Sequence, residues 1–250
     1  MLTLERQNGI YEYLKLHKSA SVSELSRKFF IGETTIRRDL EKLERENLVK
    51  RSYGGAILLE SPNAEIPITI REKEQSEAKS IIGKLAANCV SDGDIIIMDS
   101  STTTYSMIPY LTSKANLTII TNGVKAVTAA GQILKSKIYC TGGRLRENSQ
   151  SLVGPGAADT IKNFSAQKLF FSCRAISDTL VAMDNCENEA ELRKIMMSQS
   201  DKVYLLCDSS KFSKTAFYRI CSLDSVDVLI SDKAPTNGIV HEALEMVFGE

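Results

Sequence analysis

Two rhythms of apolar positions divide the chain. Up to residue 59 they recur at helical spacing. Ile10, Tyr13 and Leu14 stand at i, i+3 and i+4 and predict a helix over residues 3–18. The polar run His17-Lys18-Ser19-Ala20 ends it. Ser21 and Glu24 then have capping-box spacing, in which the serine hydroxyl takes the third amide and the glutamate reaches back to the serine amide. A second helix therefore starts at Ser21, with Val22, Leu25 and Phe29 on its buried face. Phe30-Ile31-Gly32 is a short turn. A third helix is predicted over residues 33–46, because Ile36, Leu40 and Leu43 share one side of it. Leu48 to Arg51 reads as a strand, Ser52-Tyr53-Gly54-Gly55 as a turn and Ala56 to Leu59 as the return strand. Three helices and a hairpin make a winged helix-turn-helix.

After residue 71 the rhythm changes to short continuous apolar runs. They lie at Ile95–Met98, Leu117–Ile120, Lys168–Phe171, Val203–Cys207 and Val226–Ile230, with a weaker one at Ile138–Cys140. Such β-branched runs suit strands buried on both faces of a parallel sheet. Helical stretches at 72–89, 105–112, 124–135, 156–164 and 188–200 separate most of them. The predicted fold class is α/β: an N-terminal winged helix-turn-helix, residues 1–59, followed by a Rossmann-like, mostly parallel α/β effector domain, residues 72–250. Pro62 and Pro67 mark residues 60–71 as a linker.

Composition changes this picture little, but charge adds to it. A 43% hydrophobic and 25% charged chain is ordinary for a globular protein. No apolar run approaches the roughly 20 residues of a membrane span, and the N-terminal segment is polar rather than signal-like, so the expected location is cytoplasmic. The six cysteines form no CxxC pair and there are two histidines, so no metal site and no cofactor are expected. The net charge of zero hides an asymmetry. Residues 1–58 hold eleven Lys and Arg against eight Asp and Glu, a charge of +3, and the remainder carries −3. A basic head on an acidic body fits DNA binding by the head alone.

The third helix carries the donors that DNA reading needs. Glu33, Thr34, Thr35, Arg37 and Arg38 occupy its N-terminal part, which in this motif meets base edges in the major groove. Arginine bonds guanine through two parallel bonds, and threonine touches a thymine methyl or a phosphate. Lys50, Arg51 and Tyr53 on the wing, and Ser21 at the second helix, are further candidates. Glu41 with Arg45, and Asp39 with Lys42, read as solvated pairs. The run Thr35-Ile36-Arg37-Arg38-Asp39-Leu40-Glu41-Lys42-Leu43-Glu44, followed by Arg51 and Gly54-Gly55-Ala56, resembles the DeoR family of repressors, and the likeness continues through the second domain. Two residues depart: Gly32 where many members carry a capping serine, and Tyr53 where many carry histidine.

Each apolar run of the second domain stops at small polar residues, and in open parallel sheets ligands bind outside these carboxyl ends. The first run gives Asp99-Ser100-Ser101-Thr102-Thr103-Thr104. Five consecutive hydroxyls entering a helix suit a phosphate better than they suit mere capping. The resemblance implies that this domain is similar to phosphosugar isomerases and senses a phosphorylated sugar-type effector. It implies a phosphate at Ser100–Thr104, with Asn122, Gly142, Gly143, Arg146, Glu189 and Lys211 around the remaining site. Cys173-Arg174-Ala175-Ile176 departs from the glycines many members have there. The resemblance also implies a repressor of a sugar-metabolism operon, with no catalytic residues. Binding double-stranded operator DNA as a homodimer or homotetramer follows from the small size of one head. Two other readings stay open: an α/β domain that only oligomerises, and a phosphosugar isomerase using a carboxylate such as Asp99.

Overall fold

The computed structural model describes residues 3–46, 48–59, 66–235 and 244–249. The chain divides into two compact units, Met1–Lys73 and Glu74–Glu250. No helix among the described residues is long and apolar enough to cross a membrane.

The first unit is a winged helix-turn-helix. It contains α1 (Thr3–His17), β1 (Ser19–Ser21), α2 (Val22–Phe29), α3 (Glu33–Arg45), β2 (Val49–Ser52), β3 (Gly55–Leu58) and α4 (Ile68–Arg71). Ile10, Leu14, Leu25, Ile36, Leu40, Leu43 and Leu48 form its core. On α1 the buried aromatic is Tyr11; Tyr13, expected in the stripe, is half-exposed and donates its hydroxyl to Glu24 Oε1 at 2.6 Å. The capping box forms as predicted at Ser21.

Three features escaped the periodicity. The polar run after α1 is a strand. Lys18 turns the chain at φ 67°, and β1 then pairs with β3, Ala20 opposite Ala56. A strand of three residues is too short to show alternation. Gly55 permits that pairing, since a Cβ there would stand 2.4 Å from the Ala20 carbonyl oxygen. Asp39 is not on a solvated face either. It is 2% exposed and accepts from Arg6 Nε at 2.5 Å, Arg6 Nη2 at 3.2 Å and Gln7 Nε2 at 2.9 Å, which ties α3 to α1. Finally, part of the expected linker is structured. Residues 60–65 lie outside the described residues, but Pro67 precedes α4 rather than breaking a helix, and Ile70 enters the core of this first unit. Asn8 Nδ2 also donates to the Thr69 carbonyl at 3.3 Å.

The second unit begins with α5 (Ser76–Asn88), β4 (Ile95–Met98), α6 (Thr102–Tyr105), β5 (Thr118–Thr121), α7 (Val124–Ile133) and β6 (Lys137–Cys140). A hairpin of β7 (Arg144–Arg146) and β8 (Ser151–Val153) leads to α8 (Pro155–Lys162) and β9 (Ala166–Ser172). Then come β10 (Ala175–Ile176), β11 (Val181–Asp184), α9 (Glu187–Ser198), β12 (Ser200–Leu206), β13 (Tyr218–Ser222), β14 (Val228–Ser231) and β15 (Glu245–Phe248). Seven strands form one sheet in the order β15-β14-β12-β9-β4-β5-β6, and every neighbouring pair is parallel. Side chains alternate between its faces. Ile97, Leu169, Phe171 and Leu205 pack on one side; Ile96, Met98, Phe170 and Leu206 pack on the other.

All six predicted strands are present. The seventh, β15, and the small antiparallel sheet β10-β11-β13 were not foreseen. The helix expected over 105–112 starts earlier, at Thr102, and is a single turn followed by a 3-10 segment at Ile108–Ser113. The strand order places the topological switch between β4 and β9: the chain runs from β4 outward to β6, then returns to β9 and builds the other half.

The buried Asp39 pair makes a stability prediction. Asp39→Ala strands the Arg6 guanidinium and should cost about 3 kcal/mol. Urea unfolding followed by circular dichroism checks this; an unchanged midpoint would mean that the pair carries no stability.

Candidate functional site: a DNA-reading helix and a buried ionic cluster at the sheet switch

In the first unit α3 presents the predicted reading face. Ile36, Asp39, Leu40 and Leu43 point inward, which leaves Glu33, Thr34, Arg37 and Arg38 exposed and Thr35 half-buried. Gly32 precedes the helix without a side-chain cap, and the Thr35 and Ile36 amides turn back to its carbonyl. Arg37 forms an i,i+4 pair with Glu33 at 2.7 Å, exposed on both sides, so the pair is worth at most about 1 kcal/mol and can open. Arg38 has no ion pair among the described residues. On the wing Lys50 and Tyr53 are exposed. Arg51 is held instead by Glu44, which accepts from its amide at 2.8 Å and faces its guanidinium at 3.9 Å. Ser21 is exposed and its hydroxyl is engaged in capping α2.

In the second unit the loop after β4 stands at the switch between β4 and β9, and Asp99 organises it. Asp99 is 2% exposed. Its Oδ1 accepts from the Ser101 amide at 3.0 Å and the Thr104 hydroxyl at 2.9 Å. Its Oδ2 accepts from the Ser172 amide at the end of β9, at 3.2 Å, and from Arg193 Nε at 2.8 Å. The five hydroxyls are therefore used unequally. Ser101 caps α6 and Thr104 bonds back into the loop, so both are consumed internally. Thr103 meets the Ser172 hydroxyl at 3.5 Å. Ser100 takes only a long bond from Asn122 at 3.4 Å, and the Thr102 hydroxyl has no hydrogen bond among the described residues. Asn122 donates to the Leu152 carbonyl at 3.1 Å, while its buried Oδ1 has no partner among the described residues.

Arg193 on α9 was not foreseen. Its guanidinium is buried and serves three carboxylates: Asp99 at 2.8 Å, Asp184 at 2.7 Å and Glu189 at 3.4 Å. Burial alone would lower its proton affinity, but the three carboxylates outweigh that and raise it. Glu189 also accepts from Arg146 at 2.6 Å and from the Ser151 hydroxyl at 2.7 Å. The Glu189-Arg193 spacing of four on one helix was the available signal. Asp184 and Ser172 carried none, since only the packing of β9 and β11 brings them here.

The remaining expected residues fall in two places. Lys211 lies near the Asp99 loop. Its ammonium pairs with Asp208 at 3.3 Å and donates to the Ser172 hydroxyl at 3.2 Å. Burial opposes its charge, and Asp208 restores it. Burial would also raise the Asp208 carboxyl, yet Lys211 and the Ser210 hydroxyl hold it below the usual carboxylate range. Gly142 and Gly143 are exposed and adjoin the start of α8. Gly143 has φ +111°, and a Cβ would stand 2.6 Å from the Val153 carbonyl oxygen, so backbone packing accounts for that glycine. A shallow, nearly closed recess lies over the cluster, lined by Ser100, Asn122, Glu189, Leu192, Arg193 and Met196, with Asp99 among them. Among the described residues no group of three His, Cys, Asp or Glu is gathered for a metal ion.

Residues 6–62 match the DeoR-like helix-turn-helix domain, and residues 74–233 match the DeoR C terminal sensor domain. The chain belongs to the DeoR family. Its relatives include the HTH-type transcriptional regulator YulB of Bacillus subtilis, 40% identical over 93% of this chain and 90% of that one. The HTH-type transcriptional repressor GlcR of the same organism is 31% identical over 92% of this chain and 89% of that one. The glycerol-3-phosphate regulon repressor of Escherichia coli K12 is 28% identical over 96% and 95%. As a DeoR-family protein this chain is a DNA-binding transcriptional regulator rather than an enzyme. The carboxylates of the cluster accordingly need no catalytic role, and the isomerase reading is set aside.

The cluster predicts unequal behaviour of two Arg193 variants. Arg193→Ala leaves the buried Asp99 and Glu189 and the half-buried Asp184 without their shared cation and should cost about 3–5 kcal/mol in thermal unfolding. Arg193→Lys keeps the charge but not the fork, so it should recover only part of that loss. Equal stability of both variants and the parent would refute a structural role for the cluster.

Proposed function

We propose that this regulator represses a carbohydrate-metabolism operon in the cytoplasm, and that a phosphorylated sugar-type effector controls it from the β4–β9 switch. The observation that carries the effector reading is the unequal use of polar groups there. Asp99 fixes the loop, while the Ser100 and Thr102 hydroxyls and the Asn122 Oδ1 stand unmatched or nearly so beside it. Hydroxyl donors suit phosphate oxygens, and a lone amide acceptor suits a sugar hydroxyl. Arg146 and Lys211 supply cationic charge, but Glu189 and Asp208 already pair with them. The name of one relative, the glycerol-3-phosphate regulon repressor, supports a phosphorylated ligand class.

The recess is closed down, with essentially no volume open to a molecule the size of water, whereas an ordinary ligand site holds ~300 Å³. Binding therefore has to widen it, and Arg146 and Lys211 can exchange a carboxylate for phosphate as it opens. A ligand that binds only the widened form shifts the population toward it, which is the thermodynamic requirement for a signal. On the DNA side, Arg38 and Arg37 read bases with Thr34 and Thr35 beside them, and Lys50, Arg51 and Tyr53 meet the backbone. Glu33 orients Arg37, and Ser21 positions the start of α2. One head of charge +3 holds DNA weakly, so a homodimer or homotetramer pairs the heads on repeated half-sites.

Two variants and one titration test these roles. Arg38→Ala should weaken operator binding by about 1–3 kcal/mol in a mobility-shift assay; an equal loss on random DNA would make it a phosphate contact. Thr102→Asp should abolish the response to sugar phosphates and leave operator binding intact. A sugar phosphate at 100 times its dissociation constant should stabilise the parent by about 2.7 kcal/mol. A panel that shifts no melting midpoint would favour a domain that only oligomerises.

A further inference from the structure

The end of the sheet carries two thiols that neither DNA reading nor effector binding uses. β9 and β12 pair in register up to Ser172 opposite Leu206, and Cys173 and Cys207 follow directly on the two strand ends. Leu169, Phe171 and Cys173 share a face with Val203, Leu205 and Cys207, all in one core cluster. The two sulfurs are in contact at 3.9 Å, and both residues are buried. Neighbouring strands run about 4.8 Å apart, which falls within the roughly 4.4–6.8 Å Cα separation of disulfides. Side-chain rotation together with a small approach of the two strand ends can therefore close the gap to a bonding distance of about 2.05 Å without a change of register.

The surroundings give the two sulfurs different roles. The hydrogen bond with Cys207 draws the Cys173 thiol below its ordinary value against the effect of burial, and the Lys211 ammonium adds to this. Burial pushes Cys207 up, so it keeps its proton. Cys221, a third thiol near enough to feel the charge of Cys173, is pushed up to about 12, chiefly by burial. Cys140 is exposed, and Cys89 and Cys186 are half-buried thiols on other elements.

We propose that Cys173 and Cys207 are a redox modification site, closed to a reversible disulfide by a hydroperoxide such as hydrogen peroxide, and that closure weakens anion binding at the adjoining switch. The Cys173 thiolate attacks one peroxide oxygen; the O–O bond breaks, a sulfenic acid forms, and the departing hydroxide takes a proton to become water. The Cys207 sulfur then attacks the sulfenic sulfur. The S–S bond forms, the S–O bond breaks, and the hydroxyl leaves with the Cys207 proton as a second water. Two thiols lose two electrons and the peroxide gains them. The coupling follows from position, and this half rests on the effector reading. Ser172, next to Cys173, donates its amide to Asp99 and accepts from Lys211. Asp208, next to Cys207, pairs with the same lysine. Drawing the two strand ends together disturbs both partners of Lys211.

The test uses the full-length protein, reduced and then exposed to one equivalent of hydrogen peroxide. After quenching, unfolding and alkylation, mass spectrometry of the digest should find peptides 173 and 207 linked, two hydrogens lighter, and separated by dithiothreitol. Cys207→Ser should give no link and a sulfenic acid at Cys173 that dimedone traps. Full alkylation of Cys173 and Cys207 while other thiols react, or a link from Cys173 to Cys221, would overturn the site. With inorganic phosphate as the probe, the linked form should bind about tenfold more weakly than the reduced one, and dithiothreitol should restore affinity. Equal affinity would refute the coupling. If the reduced form binds no phosphate or sugar phosphate, the effector reading and the coupling both fail, and the mapped linkage alone decides the disulfide.

Discussion

The sensor unit depends on how one carboxylate is held. Asp99 stands where the chain reverses its direction of sheet building, and its two oxygens accept four bonds, from a loop amide, a loop hydroxyl, a neighbouring strand and a helix. A buried carboxylate so bonded is costly to leave unpaired, so the β4 loop, the end of β9 and α9 hold one relative position. Arg193 extends the constraint to β11 through Asp184 and to the β7–β8 hairpin through Glu189 and its partners Arg146 and Ser151. One arginine and three carboxylates thus join the elements that approach the switch.

The DNA-binding head uses the same device on a smaller scale. Asp39 lies on α3 but faces inward, to Arg6 and Gln7 of α1. That bond sets the rotation of α3 about its axis, which decides which side chains face outward. Arg37 and Arg38 are exposed because Ile36, Asp39 and Leu40 are not. A reading surface is, in this sense, what the packing of the opposite face leaves over.

The long periodic segments were legible in the sequence. Ile36, Leu40 and Leu43 defined the buried face of α3, Ser21 and Glu24 its neighbour's capping box, and the β-branched runs the six strands of the parallel sheet. Short elements were not. β1 and β10 have three and two residues, fewer than a period-two signal needs, and their existence depends on partners distant in the chain. Asp39 and Lys42 looked like a surface pair at helical spacing. Arg6, 33 residues away, was the true partner.

Hydrophobic pattern and local capping by themselves determined the class of both units and the strand end at which polar groups collect, because these depend on neighbours within a few residues. Only the tertiary structure decided which polar groups are already satisfied. Five hydroxyls in a row looked equivalent as sequence. In the fold Ser101 and Thr104 are consumed by the loop, whereas Ser100 and Thr102 stay open. Arg193 and the adjacent sulfurs of Cys173 and Cys207 became visible the same way. A hydrogen bond or an ion pair depends on distances of a few ångströms between segments that the order of residues leaves far apart, and sheet register and helix packing are what close them.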